Sequence, residues 1–253
     1  MTTLRKNRLG AGTVTPIPLD KRRSTTGARA PCEPDPIAFH RPYVVGNELD
    51  YIAEAIRAGS LSGDAEFMRR CHERLAAELA APGEPAPDVL LTGSCTTALE
   101  MAALLIKGED DRPGEVILPG FTFVSTANAF VLHGFSPVFV DVRPNDGNID
   151  PERVAEAVTP RTRAIVPVHY AGVPCDMEAI DAIARPRGIT VVEDAAQALY
   201  SRYRGRRAGT LGALGCFSFH DTKNISCGEG GALVVNDPRH AERARHLRDK
   251  GTN

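Results

Sequence analysis

From Val89 onward, short β-branched runs alternate with helical patterns, and that alternation constrains the fold of this chain more than any other feature. The strand-like runs are "VLLT" (89–92), "EVILP" (115–119), "PVFVDV" (137–142), "AIVPVHY" (164–170), "ITVVEDA" (189–195), "GCFSF" (215–219) and "ALVVN" (232–236). Helix-like segments fall between them, at 96–106, 125–133, 151–158, 176–186 and 238–249. Most of the runs are apolar throughout, as a strand must be when helices cover both its faces. Regular strand–helix–strand order then predicts an α/β fold built on a mainly parallel, doubly wound sheet.

Upstream the texture changes twice. "ELDYIAEAIRAG" (48–59) sets Leu49, Ile52, Ala53 and Ile56 on one helical face and ends at Gly59. "DAEFMRRCHERLAAELA" (64–80) repeats the pattern, with Asp64 as the expected N-cap, and "APGEPAP" (81–87) is a loop. Residues 1–36 are rich in Arg, Lys, Thr, Gly and Pro and lack sustained apolar periodicity, so they read as a disordered basic extension. The expected organisation is therefore an extension over 1–36 and one large domain over 37–253.

Composition narrows the function classes. A formal net charge of -2 gives no whole-molecule field to draw in nucleic acid or an acidic membrane. The sequence holds no membrane-spanning apolar run and no secretory leader, which makes the expected location cytoplasmic. Cys32, Cys71, Cys95, Cys175, Cys216 and Cys227 form no C-x-x-C pair; the expectation is reduced, mostly buried thiols and no metal site.

Sheets of this kind bind ligands beyond the carboxyl ends of their strands. The residues there are Ser94, Cys95 and Thr96, then Phe121 to Phe123, His169, Asp194 and Gln197, and His220 to Lys223. Together they offer an anion cradle, an aromatic surface, a carboxylate and an amine. Pyridoxal phosphate needs those four supports: a lysine for its aldehyde, an acid beside its ring nitrogen, donors for its phosphate and a flat surface for its ring. Lys223, in "SFHDTKNISCGEGG" (218–231), suits the first role, and Gly228, Gly230 and Gly231 would let backbone approach closely. Asp194 suits the second; the other reading is a cap for a helix starting at "AAQAL". "TGSCTTALEMAALLI" (92–106) suits the third, since a Ser/Thr turn entering a helix presents free N–H groups; an ordinary capped helix reads the same way. Ser218 could add a hydroxyl, and Phe123 suits the fourth role, where a core aromatic is the plainer reading. The glycines of "GTLGALG" (209–215) do not make a dinucleotide site, because they are spaced G-x-x-G-x-x-G and precede a strand.

Taken in order, "VVGNELDYI", "LSGD", "GSCTTALEMAALL", "PGFTFVSTANAFVL", "VFVDV", "RTRAIVPVHYAGVPCDM", "VVEDAAQA", "GTLGALGCFSFHDTKNISCGEGGALV" and "RDKGTN" resemble the DegT/DnrJ/EryC1/StrS sugar aminotransferases, over residues 37–253. The resemblance is strongest to their dTDP-4-amino-4,6-dideoxygalactose transaminase type. It implies the large domain of the aspartate aminotransferase type of fold, pyridoxal 5′-phosphate as cofactor, and a homodimer. Glutamate would be the amino donor and a dTDP-linked 4-keto-6-deoxy sugar the acceptor.

By position, the resemblance implies that Lys223 is the catalytic amine, Asp194 the partner of the ring nitrogen and Gln197 that of the phenolic oxygen. Ser94, Cys95, Thr96 and Ser218 would hold the phosphate, Phe123 would stack on the ring, and His169 would orient Asp194. Some relatives carry histidine at the lysine position and act as dehydratases; the lysine here implies transamination. Family members continue well past the position of Asn253. The resemblance thus implies that the small C-terminal domain is missing and that apolar surface it would cover is bare. An inactive relic, or a binding module with the same fold, is the alternative reading.

Overall fold

The computed structural model describes residues 37–251, apart from 39, 42, 60, 62, 64 and 109–113. The extension expected over 1–36 lies outside the described residues. The elements below all belong to the unit His40–Asn253.

Two helices lead into the sheet: α1 (Glu48–Ala58), closed by Gly59 with a left-handed φ of 71°, and α2 (Glu66–Leu79). Ala65 occupies the N-cap of α2 and makes no side-chain cap, so the expected capping role of Asp64 passes to a residue that cannot perform it; Asp64 itself is outside the described residues. The strands are β1 (Asp88–Thr92), β2 (Glu115–Pro119), β3 (Ser136–Val140), β4 (Thr162–Ile165), β5 (Thr190–Asp194), the hairpin pair β6 (Arg202–Tyr203) and β7 (Arg206–Arg207), β8 (Leu214–Ser218) and β9 (Gly231–Val235). Between them run α3 (Cys95–Lys107), α4 (Val124–Val131), α5 (Pro151–Ala157), α6 (Met177–Ala184) and, after β9, α7 (Ala241–Arg248).

The main sheet has seven strands in the order β1-β9-β8-β5-β4-β2-β3. Six share one direction; β9 runs against both β1 and β8. All seven expected strands are present, and the short Arg-rich hairpin β6–β7 is an addition that two-residue strands cannot announce by periodicity. β4 is shorter than the run "AIVPVHY" because Pro167 has no N–H to continue the ladder. Beyond it the chain stays on β5 through Asp194 N–H to Pro167 O (2.9 Å) and His169 N–H to Asp194 O (3.0 Å). The helix expected at 176–186 likewise stops early, since Pro186 has no N–H to donate to the carbonyl four residues back; a single 3-10 turn, Arg185–Arg187, follows α6.

Alternation along each strand supplies two apolar faces. Leu90, Val116, Leu118, Val192, Leu214 and Leu233 pack with α3, α4 and α7 on one side. Val89, Phe217 and Val234 pack towards α2, and Ile117, Ile165 and Val191 towards α5 and α6, on the other. Of the thiols expected to be mostly buried, Cys175 and Cys216 are buried, Cys95 is half-buried, and Cys71 on α2 and Cys227 in a loop are exposed.

Because β8 and β9 are antiparallel neighbours, no crossover helix joins them. The connection is the loop 219–230, which carries Lys223 at the carboxyl edge of the parallel strands.

Candidate active site

A cavity of about 540 Å³ opens at that edge. Ser94, Cys95, Thr96, Phe123, Asp194, Gln197, Ser218 and Lys223 line it, so eight of the nine expected site residues meet there. The ninth, His169, does not.

Asp194 ends β5 with its carboxylate buried. Oδ2 accepts a hydrogen bond from Thr126 Oγ1 (2.7 Å) and Oδ1 accepts one from the Ala196 N–H (3.1 Å). No helix follows at 195–199, so Asp194 caps a turn rather than the helix that its sequence context allowed. Burial pushes its pKa above the usual carboxylate range, while Thr126, the Ala196 N–H and Lys223 pull in the opposite direction. Lys223, on the loop after β8, thus stands near enough to act electrostatically on Asp194 at the end of β5.

Ser94 caps α3, its hydroxyl accepting the Thr97 N–H (3.1 Å), and the Ala98 N–H goes to Ser94 O (3.2 Å). The N–H groups of Cys95 and Thr96 are the ones the helix cannot satisfy internally. They therefore remain, with the positive end of the helix dipole, for an anion at the cavity. Burial, reinforced by the negative charge of Asp194, lifts the Cys95 thiol well above its ordinary range, which leaves it a protonated, inert lining group. Thr96 Oγ1 donates to Ser125 Oγ (2.8 Å). Ser218 Oγ accepts from the His220 N–H (3.4 Å).

Gly231 explains why β9 can lie beside this turn. A Cβ there would meet the backbone of Ser94 and Cys95 at 2.3–2.6 Å, closer than real Cβ contacts. Gly228, by contrast, has open space around it, so its use is its φ of +88°.

Phe123 precedes α4 and is 74% exposed, a ring free to cover a flat ligand. Gln197 accepts the Ala171 N–H at Oε1 (2.6 Å), which fixes the amide and leaves its NH2 as a donor beside the cavity.

His169 departs from expectation. Its side chain is fully buried and bonds Glu193 rather than Asp194: Nδ1 accepts the Cys175 N–H (3.1 Å), so the ring hydrogen sits on Nε2 and donates to Glu193 Oε2 (2.8 Å). Neighbouring residues on a strand point to opposite faces, and His169 lies on the Glu193 side. Only its backbone reaches Asp194. Glu193 further accepts the N–H groups of Gly209 (2.7 Å), Leu211 (2.6 Å) and Gly212 (2.6 Å). The glycine-rich run "GTLGALG" is thus an anion nest occupied by the protein's own carboxylate.

Sequence reading missed Thr126 and Tyr170, and gave no role to Thr122 within the stretch Phe121 to Phe123; all three line the cavity as well. The hydroxyls of "TFVST" were visible, but nothing local ties them to a carboxylate on another strand.

The family model of the DegT/DnrJ/EryC1/StrS aminotransferases matches residues 45–253. Over 212 residues the chain is 40% identical to the spore coat polysaccharide biosynthesis protein SpsC of Bacillus subtilis (strain 168), covering 83% of this chain and 52% of SpsC. Among solved structures it is similar to DesI, determined in the presence of its TDP-sugar product, at 36% identity and a TM-score of 0.74, over 86% of this chain and 55% of DesI. It is also similar to Spr1654 of Streptococcus pneumoniae in its PLP-form, at 25% identity and a TM-score of 0.74, over 83% of this chain and 57% of that one. The chain spans about half the length of these relatives.

Proposed function

The chain belongs to the DegT/DnrJ/EryC1/StrS aminotransferase family, and on that premise we propose that it carries the cofactor site of a sugar aminotransferase. In this reading it moves an amino group from glutamate to a nucleotide-linked 4-keto-6-deoxy sugar. The observation that carries the proposal is the meeting of Lys223 and the buried Asp194 at one cavity that also receives the N-terminus of α3. The TDP-sugar product of DesI and the polysaccharide pathway of SpsC support a nucleotide-linked sugar as acceptor.

The residues present fit pyridoxal 5′-phosphate. When bound, it supplies an aldehyde that carries the amino group and a protonated ring that withdraws electrons. Lys223 would hold the aldehyde and, once released, take up and return a proton as general base and acid. Asp194, whose charged form its two donors favour against burial, would as a carboxylate keep the ring nitrogen charged. Gln197 has an NH2 for the phenolic oxygen, and the free N–H groups of Cys95 and Thr96 with the Ser218 hydroxyl would receive the phosphate. Phe123 would close over the ring and exclude water. A homodimer and a cytoplasmic setting belong to the same proposal. Among the described residues no helix is long and apolar enough to cross a membrane, and no cluster could hold a metal ion.

The test is to load the full chain with pyridoxal 5′-phosphate, record its visible band, reduce with borohydride and map the modified residue by mass spectrometry. The expected label is on Lys223, and Lys223→Ala loses both band and label. A colourless protein, or a label on another lysine, overturns the reading. Incubation of the loaded chain with glutamate and a dTDP-4-keto-6-deoxyhexose then separates enzyme from binding module. An amino sugar is expected; cofactor retained without product would favour the module.

A further inference from the structure

Beneath the cavity, Thr122, Thr126 and Asp194 form a chain of hydroxyls ending on a carboxylate. Thr126 is fully buried in α4, and its Oγ1 lies 2.7 Å from Asp194 Oδ2. An ionised carboxylate can only accept, so the single hydroxyl hydrogen of Thr126 points at Asp194. Thr122 Oγ1, 2.7 Å from Thr126 Oγ1, must then donate to Thr126. Each donated hydrogen strengthens the next, and the pair reaches Asp194 from α4 and the turn that precedes it.

We propose that Thr126, backed by Thr122, is a positioning residue that keeps Asp194 ionised and aimed into the cavity. The link to the cofactor ring rests on the assignment of Asp194 under Proposed function; the coupling of Thr126 to Asp194 does not. Other groups act on this carboxylate as well. Lys223, on the loop after β8, favours its charge, while the His169 ring, beyond β4, carries a single hydrogen directed at Glu193. The thiols of Cys95 on α3 and Cys216 on β8 face it as neutral groups lifted by burial. Glu193, its neighbour on β5, points to the far face and is satisfied there. Among the described residues only Thr126 and the Ala196 N–H donate hydrogen bonds to Asp194, and the second is backbone.

The decisive measurement needs no cofactor. The full chain is labelled with [γ-13C]aspartate, the Asp194 resonance is assigned by its loss in Asp194→Asn, and its titration is followed by NMR. Thr126→Val, which keeps the shape and removes the donor, is expected to make Asp194 about tenfold weaker as an acid, as befits one hydrogen bond to a charged group. Thr126→Ser restores the native titration, and Thr122→Val gives a smaller shift in the same direction, which keeps the test alive should the Thr126→Val protein fold poorly. An Asp194 titration unchanged in Thr126→Val and Thr122→Val overturns the proposal. In protein loaded with ring-15N pyridoxal 5′-phosphate, Thr126→Val is further expected to move the ring nitrogen shift towards that of an unprotonated pyridine. Native protein that binds no cofactor would sink the cofactor assignment while the carboxyl titration still decides the role of Thr126.

Discussion

At the residue scale, adjacent acids on one strand do opposite work. Asp194 faces the cavity, whereas Glu193 on the other face gathers three backbone N–H groups and the His169 ring. Asp194 was legible because a strand-end acid in this fold faces a ligand crevice. Glu193 was not, because its partners lie 16 to 24 residues away and no local pattern joins them. A glutamine at 193 would offer one acceptor oxygen where two are used, leaving two buried donors without partners. Each orphaned donor costs about 1–3 kcal/mol, so Glu193→Gln should lower the unfolding free energy in urea by roughly 2–6 kcal/mol. A change under about 1 kcal/mol would mean that the nest relaxes without its anion.

At the element scale, the site is assembled by register. Thr92, Gly231 and Ser218 lie in one row across β1, β9 and β8, and the first turn of α3 rests directly on Gly231. Helix and strand were each visible in the sequence as a capping serine and an apolar run. Their contact was not, because it depends on β9 reversing between two strands distant in sequence. Gly231→Ala should push the Ser94–Cys95 backbone off the sheet, at about 1–3 kcal/mol of stability by the usual cost of overpacking. Affinity for pyridoxal 5′-phosphate, followed by its visible band, should fall with it. Unchanged affinity would show that the α3 turn does not hold the phosphate.

At the scale of the whole molecule, α1 is the exception to the packing. Its apolar face was read correctly as a helix signal, yet Leu49, Ile52 and Ile56 are 77%, 54% and 59% exposed and α1 has no buried residue. Lysines at all three positions should leave the unfolding free energy within about 0.5 kcal/mol and reduce self-association in sedimentation. A loss of several kcal/mol would show that this face is covered within the chain itself. By itself the sequence determined the strands, the helices on both sheet faces and the chemical types at the carboxyl edge, because periodicity and turn chemistry are local properties of the chain. Only the tertiary structure decided that a threonine on α4 holds Asp194, that His169 serves Glu193 instead, and that a glycine run closes on an internal carboxylate. Those pairings follow from which residues the strand order brings within hydrogen-bond distance, a quantity that no stretch of neighbouring residues contains.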